Sequence, residues 1–175
     1  IRDRTLYLWD VVSGEMVRVI EGCAGGKYTC AFSPDGRQVL SMSNDNGEYN
    51  TLRLWEVDSG EMVQVFTGHS STVRGCAFSL DGQQVLSVSD DGTLRLWDVA
   101  SGETTHIVKG LVSCSRAFSR DGRQALFTGY RELHLFDVAS GKMLRDFEVN
   151  TNVKGGALSS DGRWALSVSE DKTLQ

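Results

Sequence analysis

Proline occurs once in this 175-residue chain, at Pro34, and no run of ten or more residues carries an apolar stripe at helical spacing between caps. A helical bundle and a proline-rich linker are both excluded by that. There is no stretch of about 18 apolar residues, so no membrane-spanning helix is expected. Basic charge is in short supply: 18 Lys and Arg face 23 Asp and Glu, a formal net charge of -5. Nonspecific nucleic-acid binding runs on basic surface, and this balance gives it no support. The four cysteines, Cys23, Cys30, Cys76 and Cys114, form no Cys-x-x-Cys pair. The three histidines, His69, His106 and His134, fall in separate segments, so no zinc-spaced cluster exists. The cysteines read as small buried strand residues, and a cytoplasmic, reducing setting is expected. Neither a phosphate loop nor a dinucleotide fingerprint is present. No cofactor and no metal are expected. The opening "IRDRTLYLWD" has neither the basic nor the apolar region of a signal peptide, and it reads as the middle of a longer pattern.

What the chain does have is internal repetition. "FSPDGRQVLS", "FSLDGQQVLS", "FSRDGRQALF" and "LSSDGRWALS" begin at Phe32, Phe78, Phe118 and Leu158, spaced 46, 40 and 40 residues apart. A second series, "LYLWDVVSGE", "LRLWEVDSG", "LRLWDVASGE" and "LHLFDVASGK", is anchored by Trp9, Trp55, Trp97 and Phe136, spaced 46, 42 and 39. One period of about 40 residues therefore runs through the chain, and such periods mark repeat architectures.

Within one period the reading is all strand. "TVRGCAF" is β-prone, "LDGQ" turns, "QVLSVS" follows, "DDG" turns again, "TLRLWDV" is the third strand and "TTHIV" the fourth. Alternation along "TLRLWDV" sends Leu94 and Leu96 to one side and Trp97 and Val99 to the other. With both faces apolar, each four-stranded unit needs cover on two sides, so units should stack face to face. A radial stack is a propeller, which also protects strand edges.

The Gly68-His69 pair, the "FSLDG" run and the closing Leu96-Trp97-Asp98 resemble a WD40 repeat, and registered copies extend the resemblance over the whole chain. That resemblance implies an all-β propeller with four-stranded antiparallel blades. About four repeats are expected within one repeat domain spanning 1–175: outer strands at 1–20, complete blades at 21–66, 67–108 and 109–147, and inner strands at 148–175. It also implies a hydrogen-bonded structural tetrad of His69, Ser87, Asp91 and Trp97. The chemistry is sensible in itself, because a buried indole N–H needs an acceptor and a histidine can link a hydroxyl to a carboxylate. The same set contains Ser, His and Asp, as a hydrolase triad does. However, no Gly-x-Ser-x-Gly elbow accompanies it and it belongs to the scaffold register, so a clamp is expected and an enzyme is not.

The other copies decay from this pattern. One keeps Ser41, Asp45 and Trp55 but has Cys23 where the histidine would stand. Another keeps Ser167 and Asp171, and Asp3 and Trp9 form a further partial set. In a fourth, Phe127 and Phe136 replace Ser and Trp, so apolar packing is expected in place of the polar network. The Asp-Gly pairs lack the alternating carboxylates of a calcium loop, and turn geometry explains them.

Family members typically present loops to a protein or peptide partner. Here those loops would offer Lys27, Ser71 and Thr72 ahead of the first strands, and Asn46, Glu48, Tyr49, Asp90, Tyr130, Arg131 and Glu170 after the second strands. Tyr49 and Tyr130 stand out, because tyrosine is enriched at recognition surfaces. An alternative of another class is a structural module that assembles or positions attached domains. The four-residue insertion Asn46–Tyr49 is expected to project as a surface loop outside the sheet. Asp3 and Asp171 reach the same point of the repeat, so the two ends compete for one position. Three closures are open: a homodimer of two half-rings with eight blades, a fragment of a longer propeller, or a four-bladed monomer whose ends join into one blade.

Overall fold

The computed structural model describes residues 5–21, 30–45, 48–109, 115–119, 123–128, 131–137, 140–149, 152–159 and 161–169; the side chains of 44, 45, 48, 49, 115–118, 154 and 169 lie outside that description. Every regular element among these residues is a strand. Five antiparallel sheets follow one another along the chain. Sheet 1 holds β1 (Thr5–Trp9) and β2 (Met16–Glu21). Sheet 2 holds β3 (Cys30–Phe32), β4 (Gln38–Asp45), β5 (Glu48–Glu56) and β6 (Met62–Phe66). Sheet 3 holds β7 (Val73–Phe78), β8 (Gln84–Ser89), β9 (Thr93–Asp98) and β10 (Thr104–Lys109). Sheet 4 holds β11 (Ser115–Phe118), β12 (Gln124–Thr128), β13 (Glu132–Asp137) and β14 (Met143–Glu148). Sheet 5 holds β15 (Val153–Leu158) and β16 (Ala165–Ser169).

Two recurrent turns create this pattern. In the first, the Ser79 hydroxyl donates to Asp81 Oδ1 at 2.6 Å, Gln83 N–H donates to the same oxygen at 3.0 Å, and Gln84 N–H donates to Ser79 Oγ at 3.0 Å. Gly82 completes the turn at φ +70°, a left-handed conformation that a side chain would strain. The Ser33–Asp35 and Ser159–Asp161 pairs repeat the arrangement. In the second turn, the aspartate after the aromatic residue accepts from a serine three residues on: Asp98 from Ser101 N–H at 2.8 Å, and Asp137 from Ser140 N–H at 2.8 Å. The N–H and then the hydroxyl of Ser101 hold the Asp98 carboxyl below the usual carboxylate range, and the hydroxyl and then the N–H of Ser140 do the same for Asp137. Asp98 thus ends its strand and sets the reversal into β10.

The core lies between sheets. Sheets 2 and 3 share Leu40, Leu54, Phe66, Val73, Cys76, Val85 and Trp97, with Val99 at the margin. Leu94 and Leu96, on the opposite face of β9, pack with Ala125, Phe127 and Phe136 of sheet 4. Alternation along β9 therefore glues one sheet to both neighbours, as the sequence pattern requires. Smaller clusters join sheet 1 to sheet 2 through Ile20, Val39 and Trp55, and sheet 4 to sheet 5 through Leu126, Leu133, Val149 and Val153.

One expectation needs correction. The insertion at 46–49 does not leave the ladder as a loop: β4 runs on to Asp45, β5 starts at Glu48, and Asp45 pairs with Glu48. A register shift between Ser43 and Asp45 absorbs the irregularity, so the extra residues lengthen the hairpin. Among the described residues β1–β2 and β15–β16 are separate two-stranded sheets, stacked on sheets 2 and 4 respectively.

Candidate functional site

The most ordered polar cluster ties the segment ahead of β7 to the β8–β9 turn. Trp97 Nε1–H donates to Ser87 Oγ at 2.7 Å, His69 Nε2 meets Ser87 Oγ at 2.7 Å, and His69 Nδ1 meets Asp91 Oδ2 at 2.9 Å. One proton arrangement satisfies all three. Asp91, ionised, takes the Nδ1 proton; neutral Nε2 accepts the serine hydroxyl; the serine oxygen accepts the indole proton. Thr93 contributes two further donors to Asp91, its hydroxyl at 2.6 Å and its N–H at 2.8 Å, and Ser70 N–H adds a third at 3.0 Å. Gly68 lets the segment arrive. Its φ is +146°, and a Cβ there would stand 2.8 Å from Arg95 Nη1 and 3.4 Å from the Trp97 ring.

Burial pushes the Asp91 carboxyl upward, but the bonds from Thr93, His69 and Ser70 outweigh it and bring its pKa down to about 2. Burial likewise holds the His69 imidazole below its ordinary value of 6.5, against the pull of Asp91. Both groups therefore bind protons more readily in the unfolded chain, so their contribution to stability is complete above 6.5 and declines with acid. The urea midpoint is expected to be flat from pH 8 to 7, to fall below 6.5 as His69 titrates, and to fall again from 3.8 through about 2 as Asp91 does. His69→Ala should cost about 1–3 kcal/mol at pH 7 and erase the first fall. A midpoint that stays constant between pH 7 and 5 in the unmodified chain would contradict the neutral-imidazole assignment.

This Ser-His-Asp set is sealed. Ser87 and His69 are buried, and the serine oxygen is already engaged by an indole and an imidazole. No substrate atom reaches that oxygen without displacing Trp97. Among the described residues no group of three His, Cys, Asp or Glu side chains converges as a metal site requires.

The partial sets differ. In sheet 2, Trp55 Nε1–H donates to buried Ser41 Oγ at 2.8 Å. In sheet 4 the Phe127 and Phe136 rings meet edge to face, 5.5 Å between centroids, so an aromatic pair occupies the place of the polar network. In sheet 5 Ser167 is buried, whereas Trp9 in sheet 1 is exposed. Asp3, Cys23 and Asp171 lie outside the described residues, as does the side chain of Asp45.

Of the residues expected on the loop face, the structure brings Ser71, Thr72 and Asp90 together. The Ser89 hydroxyl donates to Ser71 O at 2.9 Å, and Asp90 N–H donates to Thr72 O at 2.9 Å. Arg74 was not expected there; its guanidinium forms a two-pronged ion pair with the half-exposed Asp90 carboxylate. The only sequence signal was a basic residue projecting from a first strand near an acidic turn. Arg131 is exposed at the start of the β13 segment, and its carbonyl accepts from Val149 N–H at 2.8 Å. Lys27, Asn46, Tyr130 and Glu170 lie outside the described residues; Glu48 and Tyr49 sit in β5 with undescribed side chains. His134, in β13, stands between Glu132 and Asp146 at 3.3 and 3.1 Å.

The sequence model of the family described as WD domain, G-beta repeat matches residues 14–56 and 60–98. No curated protein matches the chain.

Proposed function

Because the chain belongs to the WD40-repeat family, whose repeats generally act as protein-interaction scaffolds, we propose that it is a non-catalytic platform for a protein or peptide partner. The contact surface we assign is the loop face carrying Ser71, Thr72, Asp90, Arg74 and Arg131. The observation that carries this reading is the locking of one loop to one turn. His69–Asp91, Ser70–Asp91, Ser89–Ser71 and Asp90–Thr72 bonds fix the segment ahead of β7 against the β8–β9 turn. A surface held in advance loses less conformational entropy on binding than a mobile one. The Arg74–Asp90 pair adds an exposed cation and anion that a polar partner can share.

Selection of a peptide library on the chain, followed by measurement on an Arg74→Glu/Asp90→Lys variant, tests the assignment. Loss of affinity by about tenfold or more is expected, the scale of disrupting a charged contact in a recognition surface. Selected peptides that bind both proteins equally would move the site off this face. The alternative role, positioning attached domains, does not compete with the loop face.

A further inference from the structure

Arg95, in the middle of β9, is a cation without an anion. Its guanidinium lies 5.7 Å from the centroid of the Trp97 ring, and its buried Nε makes no hydrogen bond. Among the described residues no carboxylate pairs with it. The charge is felt at His69: burial holds that imidazole below its ordinary value, Asp91 pulls it up, and Arg95 adds to the lowering. A partly buried charge normally has a counter-ion, and an aromatic face offsets only part of its lost hydration.

A second cation stands on the same face. Lys109, exposed at the end of β10, lies opposite Thr93, two residues before Arg95. Residues two apart on a strand share a face, as do residues directly opposite, so Lys109 and Arg95 are diagonal neighbours roughly 7–8 Å apart at their Cα atoms. Two side chains of that length reach a common group. Ile107, directly opposite Arg95 and 47% exposed, adds an apolar flank. The pair is not a property of the repeat. The same two positions hold Tyr7 and Glu21 in sheet 1 and His134 and Glu148 in sheet 4, while in sheet 2 Arg53 has Thr67, next after Phe66, in place of the lysine. Among the described residues only sheet 3 sets two cations there, in a chain of formal charge -5.

Gly68 leaves the guanidinium open to approach. This exposed glycine lies against Nη1, where a Cβ would stand at 2.8 Å, and its φ of +146° disfavours any side chain. The segment that follows, Ser70 to Thr72, is the one bonded to the β8–β9 turn, so Arg95 borders the loop face.

We propose that Arg95 and Lys109 receive a carboxylate of the protein or peptide partner, an aspartate or glutamate side chain that enters beside Gly68. The guanidinium fork donates to the two oxygens, the ammonium supplies the second charge, and Ile107 takes an apolar residue next to the acid. The overall negative charge does not prevent this, because at physiological ionic strength charges beyond about 8 Å are screened and the local pair decides. Resting on the loop-face reading, the assignment adds the chemical class of the segment recognised: acidic, with an apolar neighbour.

Peptides selected on the chain from a random library supply the probe. Enrichment in Asp and Glu is expected, with affinity falling as salt is raised. Lys109→Glu should weaken the enriched peptide by at least about tenfold, and so should replacing the peptide's carboxylates by amides. Lys109 is exposed, so that variant should keep the unmodified urea midpoint. Arg95→Met, which retains a stem over Trp97, should lose a similar factor, and the Arg95 Nε–H resonance of the unmodified chain should shift on titration with the peptide. Peptides that weaken on the Arg74→Glu/Asp90→Lys variant but bind Lys109→Glu undiminished would uphold the loop face and overturn the carboxylate site. Peptides that bind both variants undiminished would overturn both. Binding that needs a phosphoryl group and ignores Asp and Glu would likewise overturn the carboxylate assignment.

Discussion

Replacing Trp97 by alanine is expected to destabilise the chain by about 3–5 kcal/mol, the scale of removing a large core aromatic. The side chain is fully buried in the cluster that joins sheets 2 and 3. Its ring meets Phe66 edge to face at 5.8 Å and His69 at 5.8 Å, and the Arg95 guanidinium lies 5.7 Å from its centroid. Truncation therefore opens a void on one side and leaves Ser87 without its donor on the other. Urea unfolding followed by circular dichroism reads the effect, with Trp55→Ala as a comparison inside the same protein. A loss below about 1 kcal/mol would mean that the two sheets close up around the void, contrary to close packing of the interface.

Ser87→Ala should cost about 2–4 kcal/mol, more than a single hydrogen bond, because one hydroxyl serves two buried partners. Without it the Trp97 indole N–H and the His69 Nε2 are both stranded in a site closed to water. Ser41→Ala is the internal control. Its hydroxyl accepts from the Trp55 indole in the corresponding place, and a loss of about 1–2 kcal/mol is expected there, closer to one stranded group. If the two alanine variants lose equal stability, the imidazole contributes nothing to the Ser87 site. Conversely, a Ser87 variant that unfolds with the unmodified midpoint would show that Trp97 is held by packing alone.

Much of this architecture was legible because repetition supplies its own alignment. The strand order inside each sheet follows from the Asp-Gly turns and the Asp-Val-x-Ser-Gly turns, each of which encodes a reversal locally. His69, Ser87, Asp91 and Trp97 could be selected for the same reason, since the weaker copies show which positions belong together. The Phe127–Phe136 pair could be expected once two polar positions became apolar in the same repeat. The hairpin tip was misread because "NDNGEY" has no alternation of apolar and polar residues. Whether such a segment leaves the ladder or extends it is decided by backbone pairing, which composition does not encode. Arg74 escaped notice because its partner Asp90 is supplied by a turn 16 residues away, on the far side of the β7–β8 hairpin. Closure was ambiguous for a further reason: period counts strands, whereas the meeting of ends depends on the angle between stacked sheets.

The long hairpin of sheet 2 also constrains how this lineage can vary in length. Ser41 and Trp55 are 14 residues apart, whereas Ser87 and Trp97 are 10 apart, yet Ser41 still lies opposite Arg53 as Ser87 lies opposite Arg95. Side chains on a strand switch faces at every residue, so extending both arms by the same amount leaves the base of the hairpin unaware of the change. A one-sided surplus would turn an arm over and point Ser41 away from the indole. Here the one-residue mismatch is displaced beyond Ser43, toward the tip. The hairpin behaves as a ratchet: it can grow outward in balanced steps, and any odd remainder must be lodged at the end farthest from the interface it supports.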